Sequence, residues 1–157
     1  MTDLFIQGYA SRFGERDLAG DIVRPGAFSA SLLARPGPRP MLYGHDADAP
    51  IGVWDRLVED DTGLWVEGRL QRGTPTADRV AALVASGAVS GLSIGYRTER
   101  ARALGPEGNG RARALADTKG RELLALDLWE VSVVAFPMLP TARLTLTPTT
   151  TPKRIAA

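Results

Sequence analysis

Cysteine is absent from all 157 residues, which excludes disulfides, thiol nucleophiles and thiolate metal sites. Histidine occurs once, as His45, and a single imidazole without cysteine does not make a zinc site. An excess of one charge is missing too. Nineteen Lys and Arg stand against 18 Asp and Glu, a formal net charge of +1, so nothing points to nucleic acid or an anionic membrane as partner. No apolar run approaches the length of a membrane span. Met1-Thr2-Asp3-Leu4 opens without the basic-then-apolar pattern of a signal peptide. The expectation is a soluble, cytoplasmic chain with no metal and no cofactor. What is present is ordinary for a globular protein, 44% hydrophobic and 24% charged residues, in a length that suits one core and not two.

Along the chain, β-type patterns dominate. Residues 4–10 are rich in strand formers, and residues 12–20 are charged and glycine-punctuated, a surface loop. Residues 21–26 form a short extended piece ending in a Pro-Gly turn. Residues 27–34 have helical composition, stopped by the proline-rich run 35–40. Residues 41–46 read as a strand that delivers His45 at its end. The clearest hairpin joins residues 51–58 to 64–70 through the acidic turn 59–63, with Gly63 where a positive φ is expected. Trp54 and Trp65 pack on its faces. Residues 75–86 are helical, with Val80, Leu83 and Val84 on one side, Pro75 in the first turn and Gly87 as C-cap. Residues 89–96 form a strand. Residues 100–120, centred on Gly105-Pro106-Glu107-Gly108-Asn109-Gly110, are a flexible excursion between strands. Residues 121–137 return to β character, 142–146 add a last short element, and the Thr/Pro tail is disordered. The expected fold is mainly β with short helices, a closed antiparallel β-barrel of about seven strands, spanning residues 1–146 and followed by a tail at 147–157.

In Val89-Ser90-Gly91-Leu92-Ser93-Ile94-Gly95-Tyr96, alternation puts Leu92, Ile94 and Tyr96 toward the core and Ser93 on the other face between Gly91 and Gly95. Glycine inside a strand marks a bulge or a close backbone approach, so the pair could let a substrate peptide lie across the Ser93 hydroxyl. An edge strand that merely carries a small residue has the same pattern. His45 is the one side chain whose ordinary pKa suits a general base, and a serine needs such a base to become a nucleophile. A satisfied polar residue at a strand end looks no different. Glu130, in Leu128-Trp129-Glu130-Val131-Ser132-Val133-Val134, lies in a run apolar on both faces, where a carboxylate needs a partner. That partner could be an arginine or the far nitrogen of a histidine in a Ser-His-acid relay. Asp127, facing away from Glu130, ranks below it as the acid. Ser132 shares Glu130's face and lacks flanking glycines, so it reads as structural. Gly91-Leu92-Ser93-Ile94-Gly95 also fits the G-x-S-x-G elbow of α/β-hydrolases. The order fails, because His45 precedes Ser93 and no helix follows the serine. Arg143, in the turn after the Glu130 strand, is a candidate oxyanion donor.

These residues resemble a known family. Gly20-Asp21-Ile22-Val23-Arg24-Pro25-Gly26-Ala27-Phe28, Leu42-Tyr43-Gly44-His45-Asp46 with Pro50-Ile51-Gly52 behind it, Ser90-Gly91-Leu92-Ser93-Ile94-Gly95-Tyr96, and Leu128-Trp129-Glu130-Val131-Ser132-Val133-Val134-Ala135-Phe136-Pro137 are similar to four blocks of the HK97-type phage prohead (capsid maturation) proteases, in that family's order. The resemblance implies a herpesvirus-protease-like barrel and a serine endopeptidase with His45, Ser93 and Glu130 as its catalytic trio. It implies the scaffolding region of a major capsid protein as substrate, inside the immature capsid in the bacterial cytoplasm, and a possible homodimer. The competing expectations are a catalytically idle barrel acting as an assembly module and a small-molecule esterase.

Overall fold

One long strand organises the sheet. In the computed structural model, which describes residues 2–104 and 120–148, the strands are β1 (Leu4–Arg12), β2 (Ile22–Val23), β3 (Arg39–Tyr43), β4 (Gly52–Glu59), β5 (Gly63–Leu70), β6 (Gly91–Ala103), β7 (Arg121–Val134) and β8 (Leu144–Leu146), with helices α1 (Ser29–Ala34) and α2 (Pro75–Ala85). The sheet runs β2-β7-β3-β4-β5-β1-β8, and β6 pairs with β7. β6 covers one edge of β7 from Arg121 to Val134. β2 and β3 therefore share the other edge, pairing with its start and its end.

Two features differ from the expected closed antiparallel barrel of about seven strands. Of the eight strands among the described residues, β2 and β3 run parallel to β7. A two-residue strand has no period to read, and pairing with a strand so distant in sequence leaves no local mark. The sheet is also not closed by strand pairing. Where β6 would have to meet β8 or β1 there is a single bridge, Gly91 to Arg143, carried by Leu92 N–H on Ala142 O and Leu144 N–H on Ser90 O, each 2.9 Å. Beyond that bridge β1 and β6 face each other across an open seam.

The hairpin forms as expected, with a different turn chemistry. Asp60 Oδ1 accepts the N–H groups of Thr62 at 2.8 Å and Gly63 at 3.0 Å, an Asx-type turn. Gly63 is not among the positive-φ glycines. Its missing side chain instead lets the Ser11 backbone come close. Trp54 and Trp65 take opposite faces. Trp54 is fully buried and donates from Nε1 to Val131 O at 2.8 Å; Trp65 packs edge-on against Tyr9 outside. α2 starts as expected with Pro75 in the first turn; Thr74 Oγ1, not singled out in the sequence, caps it by accepting Ala77 N–H at 3.3 Å, and the helix buries Ala77, Val80, Ala81 and Val84. α1 is short and has no side-chain N-cap. It is held from outside, by Ser31 Oγ accepting Leu128 N–H at 2.9 Å and by the buried Arg39 guanidinium donating to Arg35 O at 2.9 Å. Thr147 N–H still donates to Phe5 O at 2.9 Å. The rest of the expected tail from 149 on, and the glycine-rich excursion at 105–119, lie outside the described residues. No described helix is long and apolar enough to cross a membrane.

Candidate active site

The end of β7 gathers three side chains from three segments. β6 and β7 are antiparallel, with Ser93 opposite Ser132 and Gly95 opposite Glu130. Ser93 and Glu130 are thus diagonal neighbours. On the other edge β3 pairs Leu42 with Ser132 and Tyr43 with Val133, and then the chain must turn back over β7. It does so in a tight turn, Asp46 N–H donating to Tyr43 O at 3.2 Å, with φ of 60° at Gly44 and 63° at His45. Two positive φ values in succession are the signature of a mirror-image hairpin-type turn, for which glycine is suited. His45 is the one non-glycine residue in that region among those described, a conformation that costs about 1 kcal/mol or more. Gly44 N–H on Val133 O and His45 N–H on Ser132 Oγ, both 3.0 Å, hold it there.

The turn places the imidazole between the other two groups. His45 Nε2 lies 3.2 Å from Ser93 Oγ, and Nδ1 makes a close ion pair with Glu130 Oε1. With Nδ1–H donating to the carboxylate, the Nε2 lone pair faces the serine hydroxyl. The carboxylate holds the His45 pKa above its ordinary value, against an opposing contribution from partial burial. The serine is buried, 8% exposed, and the imidazole side chain is 44% exposed against 15% for Glu130. Such an arrangement can take a proton from Ser93 and balance the charge that results.

The other candidates stand apart from this group. Asp127 is engaged by Trp129 Nε1–H at 2.8 Å and by an ion pair to Arg35. The Trp129 bond, with Arg35 and Arg97 adding to it, depresses its pKa. Arg143 donates from Nε to Pro140 O at 2.9 Å and from Nη1 to Ser90 Oγ at 3.2 Å, not to any of the three. Gly91 and Gly95 were expected to clear the way for a substrate, but protein occupies the space beside both. A Cβ on Gly95 would lie 2.7 Å from Glu130 Cδ and 2.9 Å from its Cγ; on Gly91 it would lie 2.8 Å from Pro137 Cδ. Gly95 is what allows the Glu130 side chain to lie across β6. A bulge helps: Gly95 opposes Glu130 and Tyr96 opposes Leu128, so Trp129 is the extra residue, and such bulges re-aim neighbouring side chains. The expectation that this run is buried on both faces fails at Trp129, which is 57% exposed.

The open seam holds a cavity of about 190 Å³ with His45 and Ser93 on its wall, together with Ala10, Leu92, Ile94 and Leu139. Carboxylates on the same wall have partners of their own outside the trio: Glu15 to Arg12 at 2.6 Å, Asp21 to Arg121 at 2.9 Å, and Asp17 to the Ala19 and Asp21 N–H groups at 2.9 Å. No cluster of metal-ligating side chains occurs among the described residues.

The family described as caudovirus prohead serine protease matches residues 1–153. The prohead protease of Enterobacteria phage HK97 is 40% identical over 91 residues, which cover 57% of this chain and 40% of that protein. The match thus spans well under half the length of that relative. Among solved structures, the KSHV protease in complex with a hexapeptide phosphonate inhibitor has a TM-score of 0.55 at 15% identity, covering 93% of this chain and 65% of the other. The varicella-zoster virus protease has a TM-score of 0.57 at 12% identity, covering 94% and 65%. These two likenesses establish a herpesvirus-protease-like fold.

Proposed function

Because the chain belongs to the caudovirus prohead serine protease family, we propose that it is a serine endopeptidase acting through Ser93, His45 and Glu130. Ser93 Oγ attacks the scissile carbonyl carbon while His45 Nε2 takes the hydroxyl proton. Glu130 fixes the imidazole tautomer and stabilises the imidazolium. The intermediate collapses as His45 gives that proton to the leaving amine, and water then hydrolyses the acyl-enzyme with His45 again as base. An oxyanion role for Arg143 requires its guanidinium to exchange Ser90 Oγ for the carbonyl oxygen of a bound peptide. The edge of β6 beyond Leu92 has no strand partner among the described residues, so an extended peptide can add there as a strand, with a side chain in the seam cavity.

The observation that carries this reading is the contact series from Ser93 Oγ through the His45 ring to Glu130. The family and the name of the HK97 relative, a prohead protease, support a capsid protein as substrate; the proposed cut is in the scaffolding segment of the capsid subunit, inside the immature shell in the host cell. A fluorophosphonate probe is expected to modify Ser93, with no labelling of Ser93→Ala and a loss of about 10⁴-fold or more in rate for His45→Ala. A coexpressed capsid subunit is expected to lose mass only when Ser93 is intact. Labelling that persists in Ser93→Ala removes the assignment.

A further inference from the structure

Beneath the three residues lies a fourth side chain with no part in the proton transfer. Ser132 is fully buried. It sits opposite Ser93 in the β6–β7 register and beside Leu42 in the β3–β7 register. A hydroxyl has one proton to donate and can accept, and here both capacities are used within the site. Ser132 Oγ–H donates to Glu130 Oε2 at 2.7 Å, and the same oxygen accepts His45 N–H at 3.0 Å. Glu130 thereby has one oxygen on the imidazole and the other on Ser132. The strained turn at His45 is tied to the hydroxyl that also orients its carboxylate partner.

We infer that Ser132 is a positioning residue, a single buried hydroxyl that sets both the backbone of the histidine and the rotamer of the glutamate, and so the reach of the imidazole to Ser93. A merely space-filling serine would need neither contact. One atom holding both partners fixes their separation, since neither can shift without stretching a bond to Oγ. Removing the hydroxyl leaves the His45 N–H without an acceptor and frees the carboxylate to rotate about its last torsion. Displacements of this kind cost rate steeply, because a misplacement of about 1 Å is worth up to about 100-fold.

The inference rests on the proposed roles of Ser93, His45 and Glu130, but its test does not depend on them alone. His45 is the only histidine in the chain, so its ring signals in a carbon–proton NMR spectrum report one residue without ambiguity. Its one ion pair among the described residues is to Glu130, which holds its pKa up. In Ser132→Ala the ring pKa is expected to fall toward the ordinary imidazole value, because the carboxylate that raises it is no longer held in place. The rate of fluorophosphonate labelling at Ser93 is expected to fall about 10- to 100-fold. Ser132→Thr keeps a hydroxyl on a side chain suited to a strand and is expected to retain the wild-type titration and most of the rate. If the alanine protein does not fold, Ser132→Cys, close in shape and a weak donor, is expected to show the same two changes. An unchanged ring pKa with labelling within twofold of wild type overturns the inference. So does equal slowing in the alanine and threonine proteins with wild-type titration, since that marks packing alone. A wild-type protein that is never labelled counts against Ser93 as nucleophile, and the ring titration still decides the role of Ser132.

Discussion

Two glutamates on β7 occupy nearly the same kind of place and have opposite fates. Glu122 and Glu130 have side chains 12% and 15% exposed. Each lies between β6 on one edge and the end of a parallel strand on the other. After β2, Arg24 N–H bonds Leu123 O at 3.0 Å, and its guanidinium takes Glu122 Oε1. After β3, Gly44 N–H bonds Val133 O at 3.0 Å, and the next side chain, His45, takes Glu130 Oε1. Opposite Glu122 on β6 stands Arg102, which takes its second oxygen; opposite Glu130 stands Gly95. The difference is thus in the partners. Two guanidiniums never release a proton near neutral pH, so Glu122 is held as a fixed structural anion. An imidazole does release one, and a hydroxyl on the second oxygen adds no charge. Burial and strand position do not separate the two carboxylates; the proton affinity of what they touch does.

The largest test of that contrast exchanges each carboxylate for an amide. Glu130→Gln is expected to lower the labelling rate of Ser93 about 10³- to 10⁴-fold, because the amide no longer enforces the tautomer or balances the imidazolium. Its thermal midpoint should move little. Glu122→Gln leaves Arg24 and Arg102 without their counter-ion. It is expected to lower the midpoint by about 2–4 °C with the labelling rate within twofold of wild type. Equal losses of activity in both proteins would break the contrast. A smaller effect sharpens it. Gly95→Ala puts a methyl into the Glu130 side chain and is expected to slow labelling about 10- to 100-fold. Arg102→Ala, a change on the same strand at the other end, should leave the rate alone.

Much of this was readable from residue types. The order of strands and the second helix follow from alternation, from the spacing of Val80, Leu83 and Val84, and from Pro75 and Gly87. The three candidate residues follow from a lone histidine, a glycine-flanked serine and a carboxylate in an apolar run. The parallel pairings were not readable, because β2 has only Ile22 and Val23, and its partner lies far along the chain. Nor was the open seam, since whether β6 pairs beyond the single Gly91–Arg143 bridge is a matter of strands distant in sequence, which leaves no local mark. The two glycines of β6 were noticed for a missing side chain, and the structure adds a neighbour that residue types did not show. The space beside Gly95 goes to Glu130. Ser132 was set aside because it shares a face with Glu130, and that shared face is what lets its hydroxyl reach the carboxylate.

The smallest effect to look for is in the pH dependence, where the two ends of β7 should act in different ranges. At the Glu130 end the His45 pKa is raised, first through its bond to Glu130, so the neutral base accumulates, and labelling rises, only above the ordinary 6.5. The imidazolium–carboxylate pair contributes its stability fully below the unfolded histidine value and loses it as pH rises through the folded one. Activity and this part of the stability therefore run in opposite directions. The contribution is small because the ring is nearly half exposed. At the Glu122 end the pKa is depressed, by Arg102 first and Arg24 second. That stability is present above the unfolded glutamate value of 4.5 and is lost as pH falls through the folded value. Melting curves across pH should then show the acid limb flattened in Glu122→Gln and the neutral limb flattened in His45→Ala. An acid limb unchanged in Glu122→Gln would mean that the paired arginines do not hold that carboxylate, and the contrast between the two glutamates would lose its structural half.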